Sequence, residues 1–348
     1  MKPNDEVEDP LEALAVLVAS RRTTGNRDEV KLRVDPWDPE YGGSVEFDPD
    51  LGPPAGLELD VEADGAWHPV AAPVARPPAC CAFIDGVRRI DVRLFAEDGD
   101  EAAPALAGSW AVGVAWSSLP PKISNVRLGR EIVVGGGLSA AALDVSIGGT
   151  AVRFAARSVT GLTPLEPIQG LQNSMREAEA VLAQEVLSRS EAELVISDGP
   201  LTYFASGPAI GLIKRQARSY LDTARAKALG QLDVGERTPI FKFGEQRLER
   251  YAWYLRLAHC RSIDGAVAGL VRLEVATQDG VESARSLAEL TAAALPRFAP
   301  TPGRDPRAPQ NLYPISALEG RLRHRLGDAA LIRRALEIAI HAEVLSGR

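Results

Sequence analysis

The chain has 348 residues, of which 45% are apolar and 25% charged. That length can bury a large core in one elaborated domain or two, and no stretch approaches the roughly 20 apolar residues of a membrane-spanning helix. The net charge of −8 excludes a uniformly basic nucleic-acid binder, but residues 1–100 hold 22 acids and 10 bases while the remainder hold 25 and 29, so a basic face in the later part stays compatible with phosphate binding.

The first residues, MKPNDEVEDP, are acidic where a secretory signal would be basic. Cys80, Cys81 and Cys260 are odd in number and lack metal-ligand spacing, which predicts reduced thiols in a cytoplasmic protein with no membrane partner. Residues 11–22 predict a short helix with Leu11, Leu14, Ala15 and Val18 on one face. Residues 28–75 are rich in Pro, Gly and Asp, with short alternating pieces at Lys31–Val34 and Leu57–Val61. They predict a β-rich extension, so the expected organisation is 1–79 as an N-terminal extension and 80–348 as the main domain.

Residues 80–97 predict a β-hairpin, one strand running into Asp85 and a second over Arg89–Ala96. Residues 109–117 and 123–160 predict further strands around Gly135–Gly137. The period then becomes helical from Gln169 to Ser190. Strands follow at 193–198, 208–214, 238–243, 251–258 and 267–276, then a helix over Glu282–Leu295. A proline-rich stretch without period, 296–314, precedes two terminal helices at about 315–326 and 328–345. Gly327 stops the first and Asp328 caps the second. This order predicts an α/β or α+β fold with a mixed sheet.

Two apolar runs stop on Asp-Gly: Cys81–Gly86 (CAFIDG) and Val195–Gly199 (VISDG). Asp-Gly favours a type I′ turn, and that plain reading suits many such pairs. The alternative is that Asp85 and Asp198 are carboxylates held rigidly at the ends of buried strands. A helix crossing the sheet could add Glu177 or Glu179, although residues two apart on a helix face different ways. Three convergent carboxylates would bind Mg²⁺ or Mn²⁺ through oxygen, and two such ions about 4 Å apart suit phosphodiester hydrolysis. Arg176, Lys214, Arg215, Arg218 and Arg225 could contact a nucleic-acid backbone, with Tyr203 and Tyr220 interleaved; a solvated basic face explains them equally well. Arg272 and Glu274 share one face of their strand and could pair with each other, or Arg272 could reach a phosphate. The histidines are scattered, and no zinc, P-loop, dinucleotide or serine-hydrolase motif is present.

The order of motifs resembles the NurA nuclease family, partners of the HerA DNA translocase. The likeness covers about residues 80–340. It is carried by Phe83–Gly86, Arg176 with Glu179, Leu194–Leu201 (LVISDGPL), Gly211–Lys214, Tyr254–Arg256 and Arg272–Glu274. It ends with DPRAPQNLYPISALEGRLRHRLGD at Asp305–Asp328, similar to the bacterial branch. The resemblance implies an RNase H-like mixed sheet with flanking helices and a Mn²⁺- or Mg²⁺-dependent deoxyribonuclease. It also implies a homodimer working with a HerA-type hexameric ATPase on DNA, in end resection and repair or in anti-phage defence. It implies Asp85, Glu179 and Asp198 as catalytic metal ligands, with Glu177 the alternative register. Arg176, Lys214, Arg272 and Arg307 become the expected DNA contacts. Archaeal members carry a histidine after a Tyr-Pro motif; here Tyr313-Pro314 is followed by Glu319, the expected replacement ligand, with His324 the nearby histidine. The rival expectation is a relative that keeps the fold as an assembly or DNA-binding subunit without the chemistry.

Overall fold

A computed structural model describes residues 31–34, 55–71, 76–201, 207–214, 220–245, 249–259, 267–303, 307 and 309–346. The predicted helix over 11–22, along with Tyr203, Arg215, Arg218 and Cys260, lies outside the described residues. The strands are β1 (Lys31–Val34), β2 (Cys81–Asp98), β3 (Glu101–Trp116), β4 (Lys122–Val134), β5 (Leu143–Ile147), β6 (Thr150–Ser158), β7 (Leu194–Asp198), β8 (Ala209–Ile213), β9 (Phe241–Phe243), β10 (Arg250–Arg256) and β11 (Leu270–Ala276). The helices are α1 (Leu165–Ser188), α2 (Thr223–Leu229), α3 (Gly280–Ala294), α4 (Tyr313–Leu326) and α5 (Ala329–Ser346). The chain is thus α/β, with one mixed sheet.

The sheet runs β5-β6-β4-β3-β2-β7-β8-β11-β10-β9, and β1 pairs with the far end of β2. β2, β3 and β4 are an antiparallel meander, whereas β7 and β8 run parallel to β2. The long β2 is where the sequence reading is corrected. Asp85-Gly86 is no hairpin turn: the strand continues through it, with a bulge between Ile90 and Val92, and turns at Asp98-Gly99, where Gly99 has φ 59°. Positive φ is what an I′ turn needs, and Gly86 does not have it. The expected β-rich extension also joins the main sheet, through β1 on β2 and through a bridge from Glu58 to Lys242 of β9.

Both faces of the sheet are covered, as a part-parallel sheet requires. The first face carries Phe83, Ile196, Leu212 and Leu273 under Leu287 of α3 and Ile315, Leu318 and Leu322 of α4. Beyond the bulge the same layer continues as Val92 and Leu94 under Ile332, Leu336 and Ile340 of α5. The second face packs Ile84, Val112 and Val195 against Met175, Leu182 and Val186 of α1. Farther along it, Trp67, Tyr220, Phe241 and Tyr254 form an aromatic layer with α2. Gly327, with φ 82°, ends α4, and the Asp328 side chain accepts from Leu331 N–H to open α5, as predicted.

Candidate metal centre

Strand register builds the site. β2 and β7 are parallel with Ile84 opposite Ser197, so the next pair along is Asp85 and Asp198. Matched residues of parallel neighbours point to the same face. On the next strand Asp198 is matched by Leu212, which puts Lys214, two residues on, on that face as well. β7 ends here. Its continuation crosses over β8 so closely that a Cβ on Gly211 would lie 2.7 Å from the Gly199 carbonyl oxygen. The described strands pair with β2 at residues 81–84 and 94–97 on this edge, leaving a notch between them beside Asp85. β7 and β8 end beside this notch while β2 runs on past it, and the C-terminal ends of parallel strands are where α/β sheets bind ligands.

Helix α4 brings the third carboxylate. Ile315, Leu318, Leu322 and Leu326 form its buried stripe, and Glu319 lies on the flank of that stripe, one turn on from Ile315. Asp85 is paired across the meander with Gly113, and a Cβ there would stand 3.2 Å from Leu318 and 3.3 Å from Leu322. The bare glycine lets α4 sit close over β3, so Glu319 overhangs Asp85. Oxygen atoms of Asp85, Asp198 and Glu319 all lie within 4.8 Å of one another.

The three carboxylates differ in their partners. Asp85 is 5% exposed; its Oδ1 accepts from Gly86 N–H, while Oδ2 is buried without a hydrogen-bond partner. Burial, and then the charge of Asp198, push the Asp85 carboxyl well above the usual range, with Lys214 opposing. Asp198 accepts from Lys214 Nζ at 2.5 Å, and Lys214 also donates to Asn311 Oδ1 at 2.6 Å and stands 4.0 Å from Glu319. Glu319 receives a bidentate pair from Arg307, 2.8 Å to each oxygen, and a further bond from Arg323 at 3.2 Å. Burial works to raise its carboxyl, but Arg307, Lys214 and Arg323 together hold it below the ordinary value. All three candidate ligands offer oxygen, and one buried oxygen is unsatisfied. This donor set fits a hard divalent cation.

Glu179 approaches from the other face of the sheet. Gly86 points toward α1, and a Cβ there would lie 2.5 Å from Glu179 Oε1 and 2.8 Å from Met175. Here the glycine is required for close helix approach. Burial in the protein, with Asp198 nearby and Arg176 opposing, pushes Glu179 up to about 8. It is therefore beside the cluster but outside the three-carboxylate group. Glu177 is settled by geometry: it is exposed and held bidentately by Arg157, away from the site.

The expected DNA contacts divide. Arg176 is half-buried near Glu179 and Arg88, and Lys214 is inside the cluster. Arg307 is committed to Glu319 yet half-exposed. Arg272 departs from expectation: it matches Ile213 of β8, so it occupies the face opposite Lys214. It is 1% exposed, lies over the rings of Tyr220 and Phe243, and is 3.7 Å from Glu274. It is a core cation with no surface left for a phosphate. Arg225 is likewise bound to Asp222 and Asp60. The sequence reading missed Asn311, whose signal was its place directly before the Leu312-Tyr313-Pro314 helix start. It also missed Arg88, bonded to Gln172 at 2.5 Å, which no local pattern marks. His324 is exposed in the last turn of α4 and Glu319 takes the inward position.

No protein-family model and no curated protein sequence matches this chain. No described helix is long and apolar enough to cross a membrane.

Proposed function

We propose that this chain is a divalent-metal-dependent deoxyribonuclease of RNase H-like fold, similar to the NurA family. The observation that carries this reading is the convergence of Asp85, Asp198 and Glu319 at the notch where β7 leaves β2. The strand order β4-β3-β2-β7-β8, three antiparallel strands followed by two parallel ones, supports the RNase H-like assignment. So does α1, which leads from β6 to β7 and packs over β2 and β3.

Asp85, Asp198 and Glu319 would hold Mn²⁺ or Mg²⁺. Bound there, the cation supplies positive charge to a phosphodiester oxygen and acidifies a water. Glu179, held protonated near neutrality by burial, would exchange a proton at its carboxyl oxygen from the neighbouring face. Arg176 and Lys214 would position the strand through its phosphates.

The chain has no nucleotide-binding loop, so it cannot drive itself along a duplex. A homodimer docked on a HerA-type hexameric ATPase, in the cytoplasm and serving resection, repair or anti-phage defence, supplies the motion. The deciding experiment is degradation of long duplex DNA in Mn²⁺ by the protein alone, with the translocase, and with an ATPase-dead translocase. Cleavage that needs Mn²⁺ and is stimulated only by the active ATPase is expected. No cleavage in any arm would leave the second reading, a non-catalytic assembly subunit. One observation favours that rival: Asp198 and Glu319 have the cations of Lys214, Arg307 and Arg323 as partners within the chain.

A further inference from the structure

Lys214 stands among the carboxylates that would hold a divalent ion, against Asp198 and near Glu319. Its side chain is 14% exposed and leaves the sheet just past β8. Its ammonium is bonded to Asp198 Oδ2 and Asn311 Oδ1 and is 4.0 Å from Glu319. An ammonium only donates, so the Asn311 amide must turn its oxygen toward Lys214. That leaves Asn311 Nδ2 buried with no acceptor, an unfavourable arrangement whose visible return is a fixed Lys214. Meanwhile Asp85 Oδ2 stays without a partner. The lysine therefore satisfies one side of the cluster and leaves the other open.

We propose that Lys214 is a resident counter-cation that holds the carboxylates together in the metal-free protein and competes with the divalent ion for Asp198 and Glu319. The proposal rests on the metal-centre reading. An ion between these carboxylates would lie within a few ångströms of the ammonium and repel it. Lys214 has a flexible four-carbon stem and would swing off Asp198. The released ammonium then lies at the mouth of the site, free to meet a phosphodiester oxygen. Ion entry and phosphate capture become one coupled event, and the metal-free protein offers DNA one cation fewer.

The test is calorimetric Mn²⁺ binding, without DNA, to the wild type and to Lys214→Met, Lys214→Gln and Lys214→Arg. Loss of the competing charge should tighten Mn²⁺ binding about tenfold or more in the Met and Gln variants. Lys214→Arg keeps the charge and should stay near wild type. In metal-free buffer the two neutral variants should melt earlier, and Mn²⁺ should restore them. If either folds only when Mn²⁺ is present, that also supports the proposal; failure to fold even with Mn²⁺ overturns it. Equal or weaker Mn²⁺ binding in both neutral variants overturns the counter-cation role and leaves the metal centre standing. Absence of Mn²⁺ binding in the wild type and every variant overturns the metal centre itself.

Discussion

Asp85 and Asp198 are lateral neighbours on parallel strands, one step beyond the Ile84–Ser197 pair. This juxtaposition of two carboxylates, one of them buried without a partner for Oδ2, is unfavourable for folding. Removing the charge should therefore stabilise the metal-free protein while destroying the site. We expect Asp85→Asn to gain about 1–2 kcal/mol in urea unfolding with chelator present. The same variant, and Asp198→Asn, should lose Mn²⁺ affinity by about a hundredfold and show no cleavage. Wild-type cleavage by either variant would remove that residue from the centre.

Glu179 gives the metal-free protein a pH dependence of defined sign. Its folded carboxyl is pushed up to about 8 from an ordinary 4.5. Between those values the unfolded chain has lost the proton and the folded chain keeps it. The folded state binds more protons, so stability falls as pH rises through this window. Asp85, also raised, adds the same sign. Glu179→Gln should flatten the slope in part, measured by chemical unfolding from pH 5 to 9. Mn²⁺ uptake near pH 7 should release protons, seen by calorimetry in two buffers of different ionisation enthalpy.

Gly113 sets the height of α4 above Asp85. Its Cβ position is already 3.2 Å from Leu318 and 3.3 Å from Leu322. Gly113→Val should cost about 1–3 kcal/mol by overpacking and lift Glu319 away from Asp85. Mn²⁺ binding should weaken along with stability. A Gly113→Val protein with wild-type Mn²⁺ affinity would show that Glu319 is no ligand.

Arg272 separates a core cation from a DNA contact. Truncation to Ala leaves Glu274 buried and empties the space over Tyr220, so we expect a loss of about 3–5 kcal/mol. DNA affinity of the folded fraction should not change. Arg176→Ala should do the reverse, with near-normal melting and a lower salt slope of DNA binding by about one unit. A large DNA-binding defect in folded Arg272→Met would restore it as a contact.

The sequence by itself determined the kinds and order of elements, because a buried strand and a half-buried helix each impose their own period on apolar residues. It marked Asp85 and Asp198 as carboxylates following buried runs, and Gly327-Asp328 as a helix junction. It marked Glu319 through a motif. Tertiary structure decided the rest, since local pattern does not carry strand register or helix height. That Asp85-Gly86 stays within one strand follows from unbroken pairing with β3, and the glycine serves the close approach of α1. Glu179 is preferred to Glu177 because Arg157, on β6, claims the latter. Arg272 was consigned to the core by a register with β8 that placed it opposite Lys214. The centre itself exists only because β2, β7, β8 and α4, separated by up to 234 residues between Asp85 and Glu319, close on one notch.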